Sequence, residues 1–373
     1  MSGLYIHIPF CRQACHYCDF HFSTNLDYKA AMVDAICKEI ILTSDYLNGE
    51  SLESIYFGGG TPSLLSNHEL ETIFETIHKN YTVNSNAEVT FESNPDDLMP
   101  SFIKDLLRNG INRLSIGIQS FNDDTLKFLH RVHDSNQSLR CIKEVQEAGF
   151  NNISIDLIYG IPAKNHGLWE NDLDIAVGLD VTHISSYCLT IEPKTVFGKW
   201  LRKGTLQPIE EEFSAKQFEM LVEHLEKHNF QQYEISNFCK NGYMALHNSN
   251  YWLGKNYLGI GPGAHSYNGG SRQFNISNNI SYIKTINDGK VPYEVEKLTE
   301  EMKINEYIMT SIRTAWGCNL SYLEQFPSFN AITFEHKILH QIPEGLIYKE
   351  NQHFKLTLQG KLLADEITHK LFL

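Results

Sequence analysis

Three cysteines, Cys11, Cys15 and Cys18, follow one another at gaps of three and two residues in the run YIHIPFCRQACHYCDF. Three thiolates can hold three irons of a [4Fe–4S] cluster and leave the fourth iron open to a ligand. A structural zinc site needs a fourth donor, and His7, His16 or His21 could supply it, so spacing alone leaves zinc open. A disulfide accounts for the run poorly, because three clustered thiols cannot all pair. The run Gly58-Gly59-Gly60-Thr61-Pro62 is the second unusual feature. Its glycines would let the backbone approach a ligand and offer amides to a carboxylate or amine, or would simply form a tight turn. It matches neither a Walker nor a dinucleotide pattern, which argues against nucleoside triphosphate and NAD sites.

Four polar residues fall near the ends of strand-like segments: Glu92, Gln119, Arg131 and Asp156. Asp156 sits inside the apolar run ISIDLIYGIP, where an acid must find a donor, either a ligand or the backbone. His247-Asn-Ser-Asn-Tyr251-Trp252 places a histidine beside two aromatics. That set could ligate a haem iron while the rings stack on the macrocycle, or the histidine could be a satisfied core group. Cys37, Cys141, Cys188, Cys239 and Cys318 are scattered, and most of them read as small buried hydrophobes.

These residues need a frame that brings them together. Apolar or alternating runs at 4–8, 54–57, 87–91, 113–118, 153–159 and 183–189 read as strands, with amphipathic helices at 28–47, 68–80, 102–109 and 138–148 between them. Gly110 and Gly149 stand where helix C-caps are expected. Six strand-plus-helix units predict an α/β fold with a parallel sheet, either doubly wound and open or a partial (β/α)6 barrel. In both, chemistry belongs at the carboxyl ends of the strands. A helix is expected over 209–230, and the stretch from 231 to about 287 reads as loop-rich. From 301 onward the order is three short helices, a hairpin (346–349 with 354–358) and a last helix, a winged-helix-like α+β arrangement. The expected domains are 1–235, a core barrel; 236–300, a loop-rich connection carrying the HNSNYW run; and 301–373, a small carboxy-terminal domain.

With 373 residues and 42% hydrophobic content, the chain has material for real cores. A formal charge of −14 argues against nucleic acid as a partner. The start shows no signal-peptide pattern and no apolar run is long enough to span a bilayer, so a reducing, cytoplasmic setting is expected. Peripheral membrane contact and a homodimer stay open.

The cysteine run with its flanks, the GGGTP run, Ile118-Gln-Ser-Phe121 and Ile155-Asp-Leu-Ile-Tyr-Gly160 together resemble the radical S-adenosylmethionine (SAM) superfamily. More narrowly, they resemble the HemN/HemW group, which joins oxygen-independent coproporphyrinogen III dehydrogenase and haem chaperones. The resemblance spans essentially the whole chain. It implies a partial radical SAM barrel, with Cys11, Cys15 and Cys18 holding the cluster and SAM chelating the open iron. It further implies SAM contacts from Tyr5, the backbone around Tyr17, Gly60, Thr61, Glu92, Gln119, Arg131 and Asp156. Glu92 would accept from the ammonium, Arg131 would pair with the carboxylate, and Asp156 would accept from a ribose hydroxyl. An electron donor would drive SAM cleavage. The dehydrogenase pattern has a further cysteine where this chain has Phe20, and a long extension before the cluster where this chain has ten residues. HNSNYW matches the HNxxYW signature of the chaperone branch. The resemblance therefore implies a haem chaperone serving haem-accepting apoproteins, with His247, Tyr251 and Trp252 at the haem. Coproporphyrinogen III dehydrogenase is the competing expectation, and nothing fixes whether SAM cleavage accompanies delivery.

Overall fold

The computed structural model describes residues 2–373. In chain order it begins β1 (Ser2–Ile8), α1 (Lys29–Leu42), β2 (Leu52–Gly59), α2 (Asn67–Asn80), β3 (Val83–Ser93), α3 (Pro100–Arg108) and β4 (Arg113–Gln119). Next come α4 (Asp123–Leu129), α5 (Ser135–Glu147), β5 (Ile153–Tyr159), α6 (Gly167–Gly178), β6 (His183–Cys188), α7 (Val196–Arg202) and α8 (Glu211–Lys227). Strands β1 to β6 pair in parallel and in sequence order. A doubly wound sheet would reverse its order at a switch point, so this succession is that of the partial barrel. The sheet stays open among the described residues, with its edges at later strands.

Local chemistry explains the helix boundaries. Ser66 and Glu69 form a reciprocal capping box at the start of α2, and Asp134 and Gln137 do the same for α5. Gly110 and Gly149 adopt φ values of +82° and +106° just past α3 and α5, the left-handed C-cap expected of them.

The strands alternate with period two. One face carries Leu4, Ile6, Ile55, Phe57, Val89, Phe91, Leu114, Ile116, Ile155 and Ile184, all in the main core beneath the helices. Phe57 lies 5.2 Å from Phe74 and 5.6 Å from Phe91, ring centre to ring centre. The opposite face carries Tyr5, His7, Ser54, Tyr56, Glu88, Thr90, Glu92, Arg113, Ser115, Ser154, Asp156, His183, Ser185 and Tyr187. Hydrogen bonds across that face join Tyr56 to Glu92, Ser115 to Asp156 and Ser154 to His183. This side of the sheet is therefore mostly polar, with Ile158 of β5 an apolar member at the cavity.

The stretch after α8 is more regular than its Asn, Gly and aromatic content suggests. It holds β7 (Gln231–Glu234), β8 (Asn237–Cys239), α9 (Leu246–Trp252), β9 (Tyr257–Ile260), β10 (His265–Tyr267), β11 (Ser271–Asn275), α10 (Asn279–Asn287) and β12 (Tyr293–Lys297). These strands of three to five residues extend the same sheet at both ends, to twelve strands in all. Such short strands lie below what periodicity can resolve. The chain ends with α11 (Glu300–Ser311), β13 (Cys318–Asn319), α12 (Leu320–Leu323), α13 (Ala331–Gln341), β14 (Ile347–Glu350), β15 (His353–Leu356), α14 (Leu358–Leu362) and α15 (Ala364–Leu371). They enclose a separate core around Ile304, Ile308, Phe334, Phe354 and Ile367; three helices and a hairpin come in the expected order, with the added strand β13 joining the hairpin and two closing helices where one was expected. No helix among the described residues is long and apolar enough to cross a membrane.

Candidate functional site

A cavity of about 510 Å³ opens at the carboxyl ends of the parallel strands. That is room for one drug-sized ligand. Cys11, Cys15 and Cys18 are all half-buried on its wall. Their loop follows β1 and is held by protein contacts on both sides. Cys11 N–H donates to Ser23 O at 3.0 Å, His16 N–H to Leu129 O at 3.2 Å, and Phe197 N–H to His16 O at 3.0 Å. The His130 ring bonds Ala14 O at 2.8 Å and stacks on His16 at 4.4 Å. Burial pushes the Cys18 thiol up to about 11 and raises Cys11 as well, with a hydrogen bond to Thr61 and the charge of Arg131 pulling Cys11 back. Irons binding there must displace those protons. Among the described residues no group of three or more His, Cys, Asp or Glu is gathered closely enough to hold a single metal ion.

The glycine run closes one side. Gly59 has φ of +105°, and a Cβ there would stand 2.4 Å from His7 Nδ1. A Cβ on Gly60 would stand 2.5 Å from Phe10 O, so the loop can lie against the start of the cysteine loop only as glycine. The expectation of exposed amides is corrected here. Gly60 N–H donates to Ile8 O at 2.9 Å and Thr61 N–H to Phe10 O at 2.7 Å. These two amides are therefore engaged within the chain and are not free for an anion.

Glu92, Gln119, Arg131 and Asp156 all reach the cavity, as do Tyr17, Gly60 and Thr61. Burial raises the Glu92 carboxyl to about 7 although Tyr56 OH donates to it at 2.6 Å. Burial likewise lifts Asp156 to about 6 against hydrogen bonds from Ser185 and Ser115. Gln119 ends β4 in the left-handed region, φ +70°, a strained geometry for a residue with a side chain. The turn is fixed by Asp172, which accepts from Ser120 Oγ at 2.6 Å and Phe121 N at 2.8 Å. Arg131 donates through Nη2 to Asn94 Oδ1 at 2.6 Å and Gly117 O at 2.9 Å, and through Nη1 to Cys15 Sγ at 3.4 Å. Its Nε is buried with no hydrogen-bond partner.

Two expectations fare differently. Tyr5 is not on the cavity wall; its hydroxyl bonds His7 Nδ1 at 3.1 Å, below the rim. His247, Tyr251 and Trp252 lie on α9, away from the cavity, against the amino-terminal part of the sheet. His247 is 2% exposed. Its Nδ1 bonds Ser54 Oγ and its Nε2 bonds Tyr251 OH, each at 2.8 Å. With both ring nitrogens engaged and the ring enclosed, His247 is not presented as a haem ligand. The residues present therefore fit a cluster and SAM at the cavity and do not fit haem at His247. Asn94, Ser115, Gly117 and Tyr187 also line the cavity. They went unnoticed in the sequence, although Ser115, Gly117 and Tyr187 each hold the polar phase of a strand.

Residues 5–175 match the family model of the radical SAM superfamily. A Bacillus subtilis protein named heme chaperone HemW is 36% identical, over 98% of this chain and 98% of that protein. Its Lactococcus lactis namesake is 33% identical over 100% of this chain and 97% of its own length. Among solved structures, the coproporphyrinogen III oxidase HemN of Escherichia coli superposes with a TM-score of 0.85. It covers 100% of this chain and 90% of that one at 21% identity, a likeness of fold.

Proposed function

We propose that this chain, which belongs to the HemW family within the radical SAM superfamily, binds haem and passes it to acceptor apoproteins. In this reading it also carries a [4Fe–4S] cluster on Cys11, Cys15 and Cys18, with SAM on the open iron. When bound, the cluster and SAM together supply one-electron chemistry. The chain's own residues do the rest. Arg131, with its unpartnered Nε, would pair with the SAM carboxylate. Glu92 would accept from the SAM amino group, and Asp156 from a ribose hydroxyl. Gln119 and Tyr17 would close the walls and keep water from the reacting centre. A reducing, cytoplasmic setting suits an open iron.

The observation that carries the chaperone reading is the full-length similarity to proteins bearing that name, against a likeness of fold alone to the dehydrogenase. One feature of the cavity agrees with it: Phe20, where the dehydrogenase pattern has a further cysteine, is 74% exposed at the cavity wall. The test uses anaerobically reconstituted chain with SAM, reductant and coproporphyrinogen III, and a parallel haem titration followed by addition of apomyoglobin. We expect saturable haem uptake, transfer to apomyoglobin and no protoporphyrinogen. Repeated turnover to protoporphyrinogen would instead make the protein the dehydrogenase.

SAM binding should depend on pH with a definite sign. The Glu92 carboxyl is raised to about 7 by burial, so it keeps its proton in the fold at pH values where the unfolded chain has lost it. Its contribution to the stability of the ligand-free chain is full below the ordinary glutamate range and fades as pH rises through about 7. The bound SAM amino group offsets that loss by donating to the anion. SAM affinity should therefore climb by about tenfold per pH unit up to about pH 7 and then level off. Equilibrium dialysis across pH 5.5 to 8.5, a range of about three units around that midpoint, reads the profile. A flat curve would remove Glu92 as the partner of the SAM amino group.

A further inference from the structure

The HNSNYW helix and the SAM cavity are joined by a short chain of contacts that begins at His247. The imidazole is clamped between Ser54 Oγ and Tyr251 OH, both at 2.8 Å. Its face lies on the Tyr56 ring, 5.1 Å between centres at 28°. Gly3 backs the imidazole, and a Cβ there would come within 3.1 Å of it. Tyr56 in turn donates from its hydroxyl to Glu92 Oε1 at 2.6 Å, and Glu92 is on the cavity wall. A Cβ on Gly58 would meet both the Tyr56 ring and Glu92 at 2.8–3.0 Å, so the pair is packed without slack. The same strand ties in the helix itself. Glu88, two alternations before Glu92 on β3, accepts from the amides of Leu246 and His247 at 2.9 Å each, capping the start of α9.

We propose that His247 is a positioning residue for the SAM cavity, holding Tyr56 so that Tyr56 fixes the orientation of Glu92. This rests on the SAM reading above and departs from haem ligation by His247. Burial keeps the imidazole uncharged, its pKa lowered to about 3, so it acts as a strut and not as a charge. A Tyr56 ring free to tilt would leave one Glu92 oxygen without its donor. The carboxyl would then hold its proton to higher pH and accept poorly from the SAM amino group.

The test compares full-length, anaerobically reconstituted wild type, Tyr56→Phe, His247→Ala and the double variant for SAM affinity across pH. Each single change should weaken SAM about tenfold at neutral pH and move the midpoint of the profile upward, with iron and sulfide content unchanged. The double variant should be no weaker than the weaker single, because both changes cut one chain. Additive losses, or wild-type affinity and midpoint in His247→Ala, would overturn the proposal. So would loss of haem binding in His247→Ala with SAM affinity intact. Should His247→Ala not fold, Ser54→Ala removes one clamp on the ring and replaces it in the same cycle. A wild-type chain with full cluster that binds no SAM would refute the SAM reading instead, and is distinguishable on that ground.

Discussion

Cys15→Ser should leave the chain folded but without a stable cluster, and SAM binding should fall with it by more than about a hundredfold. Even outer-shell partners of a metal site cost 10–100-fold when changed, and this residue is placed as a direct ligand. A serine hydroxyl does not ionise near neutral pH, so two thiolates would be left for a group that needs three protein anchors. Cys15 also accepts from Arg131 Nη1 at 3.4 Å, so the change disturbs the SAM carboxylate's expected partner too. The control is close by. Cys188 lines the same cavity and is exposed, yet it lies on β6, outside the cysteine loop. Cys188→Ser should keep full iron and sulfide content. Equal loss in both variants, or full iron in Cys15→Ser, would break the assignment of the ligands.

Arg131→Leu should have the second largest effect, a loss of about a hundredfold or more in SAM affinity with cluster content preserved. Removing one partner of a buried charge pair costs roughly 2–5 kcal/mol, largely because the other charge is left unpaired. Here Asn94 Oδ1 and Gly117 O would also lose their donor. Arg131→Lys keeps the charge but not the planar fork that serves Asn94, Gly117 and Cys15 at once, and should recover only part of the loss. The measurement is SAM retention by equilibrium dialysis at matched iron content. Wild-type retention in Arg131→Leu would remove this residue from the SAM site.

The strands and the chemistry at their ends were legible because two signals agreed. Segments such as ISIDLIY and RLSIGIQ are apolar enough to read as strands, and their polar phases, Asp156 and Ser115, face the same concave surface. The cysteine spacing and the glycine run are short-range patterns that need no three-dimensional context. What escaped was set by contacts between distant segments. The short strands β9 to β12 are stabilised by pairing to β1 and to each other, which no window of their own sequence records. The engagement of His247 depends on Ser54, 193 residues earlier. A motif read alone shows a histidine with aromatics beside it, and only the fold shows that both nitrogens are already bonded. The amides of Gly60 and Thr61 were misjudged for the same reason, since their acceptors belong to Ile8 and Phe10.

The cysteine loop, finally, is held by hydrogen bonds from its own chain: to Ser23 on one flank, and to Leu129, His130 and Phe197 on the other. A loop whose shape depended on its irons would collapse when they were lost and would have to be refolded around new ones. This one has anchors that do not involve the thiols, so removing the irons with a chelator should leave the loop's shape and the chain's fold in place, and refilling should need no unfolding.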